Sequence, residues 1–197
     1  MISKVKKVGP GEVGELIFKT KRMMKEYHNN PEMSASTIKD GWLYTGDLVQ
    51  IDDEGFFYIV DRKRDMITSG DENIFPVEIE DALMECPKID HCACIGYPDD
   101  RLVEIVMAIV QLKEGQTMTE EEVIAFAKSR IATYKLPRKV VFDTVMRNPT
   151  GKLMKPQMRE NIQAVKRPLK SFLSRIIRSL KGRIFLRPFF MVSIPAL

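Results

Sequence analysis

Acidic residues are missing from one end of this chain. None of its 27 Asp and Glu falls in residues 161–197, whereas eight of its 31 Lys and Arg do. The rest of the chain is mildly acidic and the tail strongly basic, so the net charge of +4 belongs to one segment and does not mark a nucleic-acid-binding protein. Cysteine is scarce. Cys86, Cys92 and Cys94 are too few, and odd in number, for a disulfide framework, which points to a reducing compartment. Together with His91 they offer soft metal ligands, but the spacing fits no common zinc pattern and strand alternation accounts for it, so no metal site is expected. No apolar run reaches the roughly 18–20 residues of a spanning helix. The first ten residues contain no apolar signal core. What is present, 44% hydrophobic and 29% charged residues over a length of 197, is the balance of a soluble globular protein of one or two domains.

The periodicities alternate between short strands and short helices. A Gly-rich turn over 11–14 precedes a strand from Glu15, and Pro31-Glu32 opens a helix that closes near Asp40-Gly41. Leu48–Ile51 and Phe56–Val60 read as a hairpin around Asp52-Asp-Glu-Gly55. Pro76 starts a helix whose inner face carries Val77, Ile79, Ala82 and Leu83. Strands follow over 89–95 and 104–112. Thr119 and Glu122 form a capping box for a helix to about 131, and a last strand spans 139–145. Irregular mixing of this kind predicts an α+β fold rather than a doubly wound sheet. Leu169, Phe172, Leu173, Ile176, Ile177, Leu180 and Ile184 give the tail the pattern of a basic amphipathic helix.

Three groups of polar residues carry chemistry. Asp47, after Tyr44-Thr-Gly46, is either a turn cap or a carboxylate able to accept two hydrogen bonds from vicinal hydroxyls. Arg62, Lys63 and Arg64, between Asp61 and Asp65, form either a solvated linker or a fork for phosphate and ribose oxygens. Lys152, after Pro149-Thr-Gly151, is either a surface lysine or a cation that offsets charge on a phosphate. It does not belong to a Walker loop, since Met146 stands where that loop needs glycine.

Taken together, these motifs resemble the C-terminal part of the adenylate-forming (ANL) enzymes, which include acyl-CoA synthetases, peptide-synthetase adenylation domains and luciferases. The resemblance runs over about residues 8–160. Gly11–Glu15 is similar to the family's GEVGE strand and Gly41–Asp47 to its GWxxTGD motif. Gly55–Ile67 with Ser69–Glu80 is similar to its hinge motif, and Tyr134–Pro137 and Asn148–Lys152 complete the set. The implied architecture is the terminal β-strands of a large AMP-binding domain over 1–61, a lid domain with a small mixed sheet and flanking helices over 62–160, and the basic tail over 161–197.

The resemblance implies roles. Asp47 corresponds to the aspartate that binds both ribose hydroxyls, and Arg62 to an arginine on the nucleotide. Arg64 takes the hinge position and Gly70 lines the thiol's approach. Lys152 bridges the substrate carboxylate and the α-phosphate. The implied reaction joins a carboxylic acid to ATP, giving acyl-adenylate and pyrophosphate, and then passes the acyl group to coenzyme A; the implied cofactors are ATP/AMP, Mg2+ and coenzyme A. The family's phosphate loop, adenine motif, magnesium-associated glutamate and acyl pocket lie in an N-terminal domain that these residues do not include. The chain alone is therefore expected to be inactive and to need that domain as a partner. The other reading is a non-catalytic domain that binds a protein or a membrane surface through its tail. The expected location is cytoplasmic, with peripheral membrane contact through 161–197. Two residues depart from the family pattern: Asp71 replaces a second glycine, and Val103 replaces the glycine before Glu104.

Overall fold

The computed structural model describes residues 7–162. The chain divides into two compact units, residues 1–155 and 156–197; of the second, residues 156–162 are described, and they are helical. The amphipathic helix expected in the basic tail lies outside the described residues, which end two positions into that segment.

A long strand organises the first sheet. β1 (Val13–Phe18), β2 (Ile38–Lys39) and β4 (Phe57–Arg62) all pair antiparallel with β3 (Trp42–Ile51). The helix α1 (Pro31–Thr37) leads into β2; Asn30 caps it by accepting from the Met33 N–H at 2.9 Å. The hairpin read at Asp52 is present. Its carboxylate accepts from the Glu54 and Phe56 N–H groups at 3.0 and 2.9 Å and closes the turn. The outer strand β4 is apolar and open, with Phe57 61% and Ile59 75% exposed.

The extent of β3 differs from the expectation. Tyr44-Thr-Gly-Asp47, read as a turn before a strand at 48, is part of the strand itself. The turn character survives as a bulge. Glu15 pairs with Leu48 and Ile17 with Tyr44, so Thr45, Gly46 and Asp47 face Leu16 alone. Gly46 takes φ +74°, a backbone state that favours glycine.

The second sheet holds β5 (Ile67–Ser69), β6 (Glu72–Ile74), β7 (Ile89–Asp99), β8 (Val103–Leu112) and β9 (Lys139–Phe142). Its order is β6-β5-β8-β7, and β9 runs parallel to β8. Two helices, α2 (Pro76–Met84) and α3 (Glu120–Lys128), supply the rest of the core. Ile79, Leu83, Val123 and Ala127 pack with Cys92, Cys94, Val106, Ala108 and Val110. Burial of each large aliphatic side chain is worth about 1.5–3 kcal/mol. The capping box at Thr119 and Glu122 forms as expected, although α3 stops at Lys128 rather than near 131. The result is α+β, with a mixed sheet and flanking helices after a β-rich segment.

One face of α2 needs correction. Val77, expected inward, is exposed, and Glu80 is buried in the stripe with Pro76, Ile79, Ala82 and Leu83. The helix begins one residue before Val77, where backbone N–H groups need acceptors more than the core needs another methyl group.

All three cysteines are free and buried. Burial pushes the Cys92 thiol up to about 12 and the Cys94 thiol well above its ordinary value. Because the thiolate of Cys92 and Cys94 is the reacting form and Cys86 is closed off from the reagent by burial, a thiol reagent at pH 8 is expected to label none of them in the folded chain and all three in denaturant. Rapid labelling of the native chain would contradict this packing.

Candidate nucleotide-facing site

The site is built on the β3 bulge. The Thr45 hydroxyl donates to the Leu16 carbonyl at 2.8 Å and accepts from the Asp47 N–H at 3.0 Å. The Gly46 N–H donates to Glu15 Oε1 at 3.3 Å, and the Gly46 carbonyl accepts from the Lys63 N–H at 2.8 Å. The Lys63 ammonium reaches back to Glu15 Oε2 at 2.7 Å. The bulge is therefore tied on both sides, and Asp47 projects from a held backbone.

Directly across from Asp47 in the β3–β4 ladder stands Arg62. Its Nε lies 2.8 Å from Asp47 Oδ1. Two residues assigned separately from the sequence thus form one ion pair. The pair is only partly shielded, so its own contribution to stability is small. Arg64 follows on the turn after β4; its side chain is exposed, and its Nε lies 3.9 Å from Asp65 Oδ2. An open cleft of about 400 Å3 beside the pair is lined by Tyr27, Tyr44, Gly46, Arg62, Lys63 and Arg64 among others.

Asp61, next to this pair, was not singled out in the sequence. It is 6% exposed. Its Oδ1 accepts from the Arg62 N–H at 2.6 Å, and its Oδ2 accepts from the Val77 N–H at 3.2 Å. Phe75, the N-cap residue of α2, provides no side-chain cap, so Asp61 of β4 supplies one from outside the helix. This bond joins the first sheet to the second.

Lys152 sits on a separate hairpin, closed by the Arg147–Leu153 bridge. The Asn148 Oδ1 accepts from the Thr150 N–H, the Thr150 hydroxyl and the Lys152 N–H at 3.1, 2.7 and 2.8 Å. Arg147 donates to the Gly151 carbonyl at 2.7 Å. Lys152 itself is exposed, and no ion pair among the described residues engages its ammonium.

Three residues beyond it, Lys155 turns inward. Its Nζ lies 2.7 Å from Glu80 Oε1, with both side chains about nine-tenths buried. The same oxygen accepts from the Cys94 N–H at 2.7 Å. Desolvation raises the Glu80 pKa, and the Lys155 charge and the Cys94 N–H pull it back down. The sequence carried one signal for this pair: a glutamate at the fourth position after Pro76, on the face where Ile79 and Leu83 point inward.

Gly70 occupies the two-residue turn between β5 and β6, where Ser69 pairs with Glu72. Its φ of +62° at the first turn position explains the glycine. Asp71, the departure noted beside it, is exposed. The structure brings Asp47, Arg62 and Arg64 into one neighbourhood and places Gly70 and Lys152 on hairpins of their own.

Residues 78–152 match the AMP-binding enzyme C-terminal domain family. A long-chain-fatty-acid–CoA ligase, FadD13 of Mycobacterium tuberculosis, is 43% identical over 152 residues, which are 77% of this chain and 30% of that protein. The chain belongs to the adenylate-forming family through its C-terminal part. Among solved structures, the o-succinylbenzoate CoA synthetase MenE of Bacillus subtilis, in complex with the acyl-adenylate OSB-AMP, is 35% identical with a TM-score of 0.68. The match covers 77% of this chain and 31% of MenE. ATP-bound MatB of Rhodopseudomonas palustris is 32% identical with a TM-score of 0.73, covering 83% of this chain and 33% of MatB. The chain thus spans about 30% of the length of the curated relatives it matches.

Within this adenylate-forming segment, the departure at Val103 has a visible cost. Val103 has φ +68°, a conformation that disfavours a β-branched residue. Its side chain is 66% exposed and gains little packing in return. Val103→Gly is expected to stabilise the chain by about 1 kcal/mol, the relief of left-handed strain less the added flexibility of glycine when unfolded. Urea unfolding measures it; a lower midpoint would refute the strain.

Proposed function

We propose that this chain provides the lid of an ATP-dependent acid–thiol ligase of the acyl-CoA synthetase type. The observation that carries this reading is the register of β3 and β4, which pairs Asp47 with Arg62 at 2.8 Å on a braced bulge beside a basic, aromatic-lined cleft. On this reading residues 1–61 are the last strands of the AMP-binding domain and residues 62–160 the lid. The open apolar face at Phe57 and Ile59 suits a segment that continues a larger domain.

The residues fit a nucleotide. Asp47 uses Oδ1 on Arg62 and leaves Oδ2 to accept from a ribose hydroxyl. Arg62 holds that carboxylate in orientation and offers its remaining N–H groups to the nucleotide. On this reading the carboxylate that would serve Mg2+ belongs to the N-terminal domain, as the family resemblance implies. When bound, Mg2+ and ATP supply the leaving pyrophosphate and the charge neutralisation it requires.

Lys152 acts by charge. In the first half-reaction a carboxylate oxygen attacks the α-phosphorus, the bond to pyrophosphate breaks, and negative charge grows on the oxygens between acid and phosphate. An ammonium held on a rigid hairpin offsets that charge without transferring a proton. In the second half-reaction the thiol sulfur of coenzyme A attacks the acyl carbon past Gly70, and AMP leaves. Arg64, on the turn between β4 and β5, marks the hinge about which the lid reorients between the two. Because the phosphate loop and acyl pocket lie outside these residues, the chain alone performs neither step.

The test mixes the purified chain with the N-terminal domain of a related synthetase and follows ATP–pyrophosphate exchange. Exchange is expected only with both pieces present. Lys152→Ala should lower it by about a hundredfold or more, the usual loss for removing one charge-stabilising donor. Asp47→Ala should act mainly through the KM for ATP. No exchange from two folded pieces would refute the reading.

A further inference from the structure

The Gly70 hairpin is held by a carboxylate that no part of the reading above uses. The Thr68 N–H of β5 donates to Glu104 Oε2 at 3.1 Å. Glu104 lies on β8, opposite Pro98 of β7, and its side chain runs over the backbone of Gly96. A Cβ built on Gly96 would lie 2.6 Å from the Glu104 carboxyl carbon, closer than such contacts ever come. Glycine at 96 is therefore what lets this carboxylate lie flat on the sheet and reach Thr68.

Two further ties come from the same bend. The Gly70 N–H donates to the Leu102 carbonyl at 2.8 Å, and Ser69 pairs with Val103. The bend is itself closed by Asp99, whose Oδ1 accepts from the Arg101 and Leu102 N–H groups at 3.0 and 2.9 Å. The Leu102 side chain lies against Gly70, with Cδ2 3.5 Å from where a Cβ would stand. Of these ties, only the Glu104 bond is made by a side chain acting directly on the hairpin backbone, so it is the one that substitution can remove cleanly.

We propose that Glu104 is a positioning residue for thioester formation: seated over Gly96, its carboxylate holds the Thr68–Gly70 backbone where the incoming thiol passes. The placement of the thiol path at Gly70 rests on the function proposed above; the tether itself does not. Glu104 touches no substrate. Its effect falls on the second half-reaction and spares the first, because Asp47, Arg62 and Lys152 stand on other hairpins.

The tether is tested on the full chain by amide hydrogen exchange in three variants. Glu104→Ala removes the acceptor. Gly96→Ala keeps the acceptor but pushes it off Thr68. Glu104→Gln keeps an acceptor oxygen in place. The first two should speed exchange at Thr68 and Gly70 by about tenfold while the β7–β8 ladder keeps its protection, as expected for a local opening. Glu104→Gln should stay near the parent. Unchanged exchange at Thr68 in both alanine variants, or an equal loss across the whole second sheet, would overturn the proposal.

The functional half uses the chain assembled with an N-terminal domain. Glu104→Ala and Gly96→Ala should slow acyl transfer to coenzyme A by about ten- to a hundredfold, the range a small misplacement brings, with ATP–pyrophosphate exchange unchanged. Equal loss in both half-reactions would overturn the positioning role. An assembly of unsubstituted pieces that exchanges no pyrophosphate would refute the ligase reading instead, and amide exchange would still decide the tether.

Discussion

A buried charge pair sets the frame for this structure. Glu80 on α2 and Lys155, at the end of the first compact unit, meet at 2.7 Å among side chains that otherwise exclude water. Neither charge is tolerable there alone. Removing one partner leaves the other ionised and unpaired in a low-dielectric interior, at a typical cost of about 3–5 kcal/mol. The Cys94 N–H donates to the same carboxylate, so the pair joins α2, the strand β7 of the second sheet and the segment leaving Lys152. An apolar contact would hold these elements together without specifying how far along the strand they meet. A charge pair with a shared backbone donor specifies it.

Carboxylates outside the hydrophobic core serve the same purpose elsewhere in the chain. Asp61 caps α2 from β4 and joins the first sheet to the second. Asp52 closes one hairpin, Asp99 closes the bend before β8, and Glu15 braces the bulge that presents Asp47. Asp47 and Gly70 stand on a bulge and a hairpin tied in this way, and Lys152 on a hairpin that the Asn148 amide oxygen closes. Such a division suits a lid. The core keeps its shape as a body, and the candidate site groups stand on short segments whose backbone is already held.

The motifs were legible in the sequence because each contains residues that a particular backbone demands. Gly46 marks a positive φ, Thr119 with Glu122 a cap, and Pro76 a helix start. The α+β class followed from the spacing of short apolar runs. What escaped was long-range pairing of polar groups. Lys155 and Glu104 look like ordinary surface charges in one dimension, Glu80 is marked only by its place on the inward face of α2, and only the fold sets Lys155 against it or lays Glu104 over Gly96. The Asp47–Arg62 pairing needed the β3–β4 register, which one extra residue at Val60 shifts and which alternation of side chains cannot reveal. Val77 faces out although it fits the apolar pattern, because it sits in the first helical turn, where its N–H is met by Asp61 from outside the helix.

The most direct measurement is a double-mutant cycle on Glu80 and Lys155, read by urea unfolding of the full chain. Glu80→Leu and Lys155→Met singly should each destabilise it by about 3–5 kcal/mol, whereas the double substitution should recover most of that loss because it removes both charges together. Single effects that simply add would contradict the account, since the two side chains would then be independent.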